Sequence, residues 1–194
     1  MIRILIADDH AIVRAGLKQF IADQPDMQVA GEASTGSEAI ALVRAAEFDV
    51  VLLDISMPDK NGIDTLKTLK QVRPEMPVLM LSGYAEDQYA VNLLRAGAAG
   101  YLNKEAASTQ LVGAIRTVVR GRKFVSPALA QILADGVTGD ADRPLHGELS
   151  QREFQIFCKI AAGAAVSKIA DELHLSVKTV STYRTRVLEK MGMR

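Results

Sequence analysis

Three nearly unbroken apolar runs, Ile2–Ala7, Val50–Leu53 and Val78–Leu81, set the tightest limit on how this chain can fold. Short runs rich in Ile, Val and Leu are what strands require when both faces of a parallel sheet are covered. Weaker runs at Gln28–Glu32 and Gly100–Leu102 supply two further strands. Between these runs the apolar residues fall at helical spacing, which predicts helices over about Ala11–Asp23, Ser37–Ala46, Ile63–Val72, Asp87–Ala96 and Thr109–Val119. Five strands alternating with five helices predict an α/β domain built on a five-stranded, parallel, doubly wound sheet. In such a sheet a ligand sits beyond the carboxyl ends of the strands, where the strand order reverses.

The pattern changes after residue 120. Ser126-Pro127 reads as an N-cap followed by proline at the first helical position, opening a helix to about Ala134. Residues 135–147 have the turn-rich composition of a linker. Ser150 and Glu153 then match a capping box, opening a helix with Phe154, Phe157 and Ile160 on one face and Gly163 at its end. A short helix over about Val166–Leu173 breaks at His174-Leu175, and Ser176 caps a third helix from Val177 to about Met191. The expected organisation is a larger domain over 1–121, a linker helix and flexible linker over 122–147, and a small all-α domain over 148–194.

Charge and cysteine content narrow the setting. The net charge of the 194 residues is zero, yet residues 148–194 hold eight Lys/Arg against five Asp/Glu, so the basic surplus lies where a polyanion contact is easiest to arrange. Cys158 is the one cysteine, which rules out an intramolecular disulfide and points to a reducing compartment. The N-terminus lacks a signal-peptide layout, and no apolar run approaches the roughly 20 residues needed to span a bilayer. A cytoplasmic protein with no membrane contact is expected.

Polar residues follow the apolar runs at telling places. Asp8 and Asp9 follow the first, Asp54 the third, Ser82 the fourth and Lys104 the fifth, so all five should converge on one crevice at the carboxyl edge of the sheet. Three carboxylates packed together repel unless a cation lies among them, and oxygen donors suit Mg²⁺. A lysine and a hydroxyl opposite suit the oxygens of a phosphoryl group. Phosphoryl transfer to a carboxylate fits that set. His10 reads as a first-turn helix residue rather than a metal ligand. His146 and His174 are isolated, and Asp59, Asp64, Glu86 and Asp87 read as loop and cap charges.

The segments Ile4-Leu5-Ile6-Ala7-Asp8-Asp9-His10, Leu53-Asp54-Ile55-Ser56-Met57-Pro58 with Gly62, Leu81-Ser82-Gly83, and Gly97 through Lys104 resemble the receiver domain of two-component response regulators. That resemblance implies a flavodoxin-like domain whose Asp54 accepts phosphate from a sensor histidine kinase. It implies Mg²⁺ bound by Asp9, Asp54 and the main-chain carbonyl of Ser56, with Asp8 acting largely through metal-bound water. Lys104 would pair with the phosphoryl group, Ser82 would donate a hydrogen bond to it, and Tyr101 would rotate inward to follow Ser82. Ser56 and Tyr84, each two residues beyond a site residue, would border the path of attacking water, and the bulk of Tyr84 would restrain hydrolysis.

The three C-terminal helices have the layout of a helix-turn-helix, whose second element docks in the major groove of DNA. Val177, Val180, Val187, Leu188 and Met191 form the expected inner face, and Lys178, Thr179, Ser181, Thr182, Arg184, Thr185 and Arg186 the DNA-facing one. Leu149–Glu153, Ile169–Leu173, Leu175–Tyr183 and Leu188–Gly192 resemble the DNA-binding module of NarL/FixJ (LuxR-type) regulators. By that resemblance Ser181, Thr182 and Thr185 would face bases, while Lys178, Thr179, Arg184 and Arg186 would hold phosphates. Val166, Lys168 and Tyr183 stand where the family usually has an amide, a glutamate and a histidine, and Arg194 precedes the family's usual last helix. The implied protein is a phosphorylation-switched transcription factor, dimeric when phosphorylated and binding double-stranded DNA, and not an enzyme. A phosphatase with an aspartyl nucleophile is the weaker alternative, since such enzymes resemble Asp-x-Asp-x-Thr after the first strand.

Overall fold

The computed structural model describes residues 1–57, 62–83, 86–138, 149–173 and 175–193. The elements in chain order are β1 (Ile2–Ala7), α1 (Ala11–Ala22), β2 (Met27–Ala33), α2 (Gly36–Ala45), β3 (Val50–Asp54), α3 (Gly62–Val72), β4 (Val78–Ser82), α4 (Glu86–Arg95) and β5 (Gly100–Asn103). A single 3-10 turn, Lys104–Ala106, leads into α5 (Ala107–Val119), then α6 (Pro127–Thr138), α7 (Gln151–Ala161), α8 (Val166–Glu172) and α9 (Val177–Lys190). The chain divides into two compact units, Met1–Ala134 and Asp135–Arg194.

In the first unit all strand pairs are parallel and the order is β2-β1-β3-β4-β5. Every residue of β3 and β4 is buried, as a sheet covered on both faces demands. Ile4, Ile6, Val50, Leu52, Leu79 and Leu81 turn to one face, where Leu17 and Ile21 of α1 and Leu111, Ile115 and Val118 of α5 close over them. Their alternates Leu5, Leu53 and Met80, also fully buried, point to the other face by the two-residue period of a strand. The α/β doubly wound architecture expected from the apolar runs is the one observed. β3 and β4 each run one residue further than their apolar runs, because Asp54 and Ser82 stay in the ladder opposite Leu81 and Asn103. Hydropathy registers those polar residues as strand ends, whereas the backbone does not. α6 likewise stays helical through Thr138, past the Asp135-Gly136 step at which composition predicts a stop.

The second unit holds a separate core of Ile156, Ile169, Ala170, Leu173 and Val180, drawn from α7, α8 and α9. Gly163, at φ 78°, supplies the left-handed residue that ends α7. The Leu175 amide donates to the Ala170 carbonyl at 2.8 Å to close the turn before α9. Val177, expected on the inner face, is instead 53% exposed, since it occupies the first position of α9 ahead of the turn that packs. The capping box forms: the Ser150 side chain accepts from the Glu153 amide, and Glu153 Oε2 accepts from the Ser150 amide at 2.6 Å. The same Oε2 accepts from Lys190 Nζ at 2.7 Å, which ties the start of α7 to the end of α9.

Burial raises the Glu153 carboxyl, but Lys190 and the two Ser150 contacts outweigh it and hold it below the usual carboxylate value. A depressed folded value contributes stability at pH above the unfolded value of 4.5 and loses it as pH falls through the folded one. Amide protection factors in α7 and α9, corrected for the intrinsic exchange rate at each pH, should therefore fall on acidification below about pH 4.5 in the wild type. Glu153→Ala should lose about 1–3 kcal/mol of protection there at neutral pH, and unchanged exchange would show that the Glu153 contacts contribute nothing.

Candidate functional site

The order of strands reverses between β1 and β3, and their register pairs Ala7 with Leu53. The next residues, Asp8 and Asp54, therefore leave the two strands side by side. β4 ends on Ser82 opposite Asn103 of β5, so Lys104 emerges one residue beyond, on the same edge. The Asn103 side chain accepts from the Glu105 amide at 2.7 Å, which caps the 3-10 turn that carries Lys104. Lys104 Nζ lies 2.7 Å from Asp8 Oδ2 and 3.0 Å from Asp54 Oδ1. One ammonium thus serves two carboxylates that are almost completely buried, at 0% and 2% exposure.

That sharing is electrically incomplete. Burial pushes the Asp54 carboxyl above its usual range, and neither Lys104 nor the Ser56 backbone amide cancels the effect, while the Asp8 charge adds to it. Burial also works against the Lys104 ammonium, but Asp54 and Asp8 more than offset this and hold it above its ordinary value. Asp54 Oδ2 and Asp9 Oδ1 are buried with no hydrogen-bond partner. Asp8, Asp9, His10 and Asp54 each offer a ligand atom, and these atoms all lie within 4.8 Å of one another. Three carboxylates against one ammonium, with two oxygens unsatisfied, form a donor set that fits a divalent cation.

The remaining predicted residues take distinct places. Ser82 is 1% exposed at the end of β4, and Tyr101 on β5 is fully buried. Ser56 is half-buried two residues past β3. Tyr84, Asp59, His146 and His174 lie outside the described residues. His10 is not in the first turn of α1 but at its N-cap, with its side chain 62% exposed and its ring against Asp8 and Asp9. Two contacts escaped sequence reading. Arg14 donates to the Asp8 carbonyl at 2.7 Å from one turn into α1. At Gly62 a Cβ would lie 2.1 Å from the Asp54 carbonyl oxygen, so only glycine lets α3 begin this close to the end of β3. The glycine belongs to a recognisable motif, but its steric reason is visible only in three dimensions.

In the second unit Ser181, Thr182, Arg184, Thr185 and Arg186 form the exposed side of α9 together with Lys178, and Thr179 is half-buried. Several hydroxyls there are already engaged. Thr182 and Thr185 donate to the carbonyls of Lys178 and Ser181 at 3.0 and 3.2 Å, and the Thr179 hydroxyl pairs with that of Ser176 at 2.7 Å. The Arg186 guanidinium stands 6.0 Å from the Tyr183 ring centroid, while Arg184 and Lys178 are exposed cations. Among the described residues no helix is long and apolar enough to cross a membrane.

Comparison with known proteins matches both units. Residues 4–116 match the family model of the response regulator receiver domain, and residues 147–194 that of bacterial regulatory proteins of the luxR family. The whole chain is 40% identical to the response regulator GacA of Pseudomonas aeruginosa, over 91% of that protein. It is 36% identical to the response regulator UvrY of Escherichia coli K12, over 89% of its length. Among solved structures, RcsB of Salmonella enterica serovar Typhimurium, bound to the promoter rprA with the phosphomimetic BeF₃⁻, matches with a TM-score of 0.68 at 25% identity. That match covers 100% of this chain and 94% of the other.

Two outcomes are expected of the first unit. The raised folded value of Asp54 means that the native state holds that proton more tightly than the unfolded chain, so ionised Asp54 costs stability as pH rises towards neutrality. In the absence of divalent cations Asp54→Asn should therefore raise the melting temperature at pH 7, and a lower one would contradict the electrostatic reading. Gly62→Ala should destabilise the unit by about 1–3 kcal/mol through overpacking, measured by denaturant unfolding.

Proposed function

Because this chain belongs to the NarL/FixJ family of response regulators, and so regulates transcription through a receiver domain and a LuxR-type DNA-binding domain rather than acting as an enzyme, we propose that phosphorylation of Asp54 controls its binding to DNA. The observation that carries this reading is Asp54 itself, 2% exposed, with Oδ2 unpartnered and Lys104 Nζ 3.0 Å from Oδ1. An oxygen of Asp54 would attack the phosphorus of a phosphohistidine on a sensor kinase. The new O–P bond would form as the P–N bond breaks and the imidazole leaves. Mg²⁺ held by Asp9, Asp54 and the Ser56 carbonyl, with Asp8 acting through its water, would neutralise charge on the transferring group. Lys104 would turn from the Asp54 carboxylate to the phosphoryl oxygens, keeping its partnership with Asp8. Ser82 would donate to the same oxygens, and Tyr101, buried on β5 two residues before the register partner of Ser82, would keep pace with that movement.

The output would be read by α9. Lys178, Thr179, Arg184 and Arg186 would hold phosphates, and Ser181, Thr182 and Thr185 would meet bases. Back-bonded hydroxyls of Thr182 and Thr185 retain acceptor lone pairs, so their contribution would be to accept from bases or present methyl groups to them. Residues 1–121 would receive the signal, 122–147 would link, and 148–194 would bind DNA, with phosphorylation favouring a homodimer on two-fold related half-sites. The setting would be the cytoplasm. RcsB, whose solved complexes hold promoter DNA with BeF₃⁻ present, supports both a DNA partner and a phosphoryl-responsive receiver.

Footprinting on genomic fragments, with and without a small-molecule phosphodonor and Mg²⁺, tests the proposal. The wild type should gain affinity on treatment and Asp54→Ala should not; equal affinities in all four conditions would overturn it. Arg184→Ala should weaken binding about equally on every sequence and reduce the slope of log affinity against log salt by about 1.

A further inference from the structure

Asp8 and Asp9 hang from the two ends of one peptide group, and a cation from α1 holds that group in place. Asp8 lies one residue past the last ladder pair of β1 and β2, Ala7 with Ala33. Its carbonyl accepts from Arg14 Nη1 at 2.7 Å. Arg14 is itself tethered, with Nε 3.4 Å from Glu32 Oε2 on β2. Lys18 Nζ, one turn further along α1, lies 2.8 Å from the other oxygen of Glu32. Glu32 stands opposite Ile6 in the β1–β2 register, and Ile6 packs on the face that α1 covers. The Arg14 side chain is the most enclosed of the three, at 19% exposure against 38% for Glu32 and 43% for Lys18. Among the described residues it makes no ion pair with Asp8, Asp9 or Asp54, so it meets the site through main chain alone.

We propose that Arg14 is a positioning residue for cation binding: through the Asp8 carbonyl it fixes the Asp8–Asp9 peptide, and with it the angle at which the two carboxylates meet a divalent ion. The inference rests on the cation reading of Asp8, Asp9 and Asp54 made above. A guanidinium keeps its charge and presents its donors in a rigid planar fork, so a fork held at Nε by Glu32 sets the direction of the bond from Nη1. The peptide group is planar, so fixing its carbonyl fixes the Cα atoms of both Asp8 and Asp9. Asp9 Oδ1 is buried without a hydrogen-bond partner, which leaves the main chain to place it. The charge of Arg14 and its grip on the peptide act in opposite directions on a bound cation. As a positive charge it repels the ion, so its removal would tighten binding. As a clamp it preorganises the ligands, so its removal would weaken binding. The sign of the change separates the two.

Calorimetric titration of the full chain with Mg²⁺, in the absence of a phosphodonor, tests the proposal on wild type, Arg14→Met and Arg14→Lys. Arg14→Met should weaken Mg²⁺ binding by at least about tenfold. Arg14→Lys keeps the charge and loses the fork, so it should also weaken binding, by a smaller factor. With acetyl phosphate as donor, Arg14→Met should raise the Mg²⁺ concentration for half-maximal labelling by a similar factor. Its rate at saturating Mg²⁺ should stay within about twofold of wild type, a split that a general loss of structure would not give. Unchanged or tighter Mg²⁺ binding by Arg14→Met overturns the clamp and leaves the cation reading standing. So does the same result for Arg14→Lys where Arg14→Met does not fold, and so does a labelling rate that saturating Mg²⁺ does not restore. Failure of the wild type to bind Mg²⁺ overturns the cation reading and the clamp together.

Discussion

A single ammonium group between two buried carboxylates organises the first unit of this protein. Lys104 reaches Asp8 and Asp54 at 2.7 and 3.0 Å, and both carboxylates are shut away from water. Left without Lys104, two adjacent buried negative charges would cost several kcal/mol each. With it, they remain two positive charges short once Asp9 is counted. The parallel sheet makes this arrangement possible, because its strands all bring their carboxyl ends to one edge and the β1–β3 neighbour relation sets Asp8 beside Asp54. A deficit of positive charge in a rigid frame suits a divalent cation, and burial together with the neighbouring Asp8 charge holds Asp54 above its ordinary titration range.

The second unit solves a different problem, that of holding three short helices around a small core. Five buried residues form its centre, and the Glu153 carboxylate supplements them by joining two amide and ammonium donors from opposite ends of the motif. The exposed side of α9 is left to cations and small hydroxyl residues, free of carboxylates until Glu189. Helix α9 is therefore anchored through Val180 and Val187, while the side it presents to solvent suits a polyanion.

Much of this was legible in the residues alone. Apolar runs marked the strands because burial on both faces leaves no room for alternation, and the polar residues just after them marked the site. The ends of those strands were less legible. Asp54 and Ser82 look like the start of loops by hydropathy, yet their backbones still pair. Val177 reads as core by residue type, but its position at the first turn of α9 leaves it in solvent. Pairings between distant residues were not legible at all. Glu153 with Lys190 and Arg14 with the Asp8 carbonyl depend on helix orientations that no periodicity specifies. His10 is a local case of the same kind, since its neighbours in sequence identify a helix start, and only the path of the chain over Asp8 turns the ring towards the carboxylates.

The central claim is that the charge deficit around Asp54 is made for a divalent cation and a covalent phosphoryl group. Intact-mass measurement of the full chain after incubation with acetyl phosphate, with Mg²⁺ and with chelator, tests it most directly. The account predicts a single phosphoryl adduct that forms only with Mg²⁺, maps to Asp54 and is greatly reduced in Lys104→Met. An adduct elsewhere, an adduct indifferent to Mg²⁺, or none under conditions that preserve the fold would contradict it.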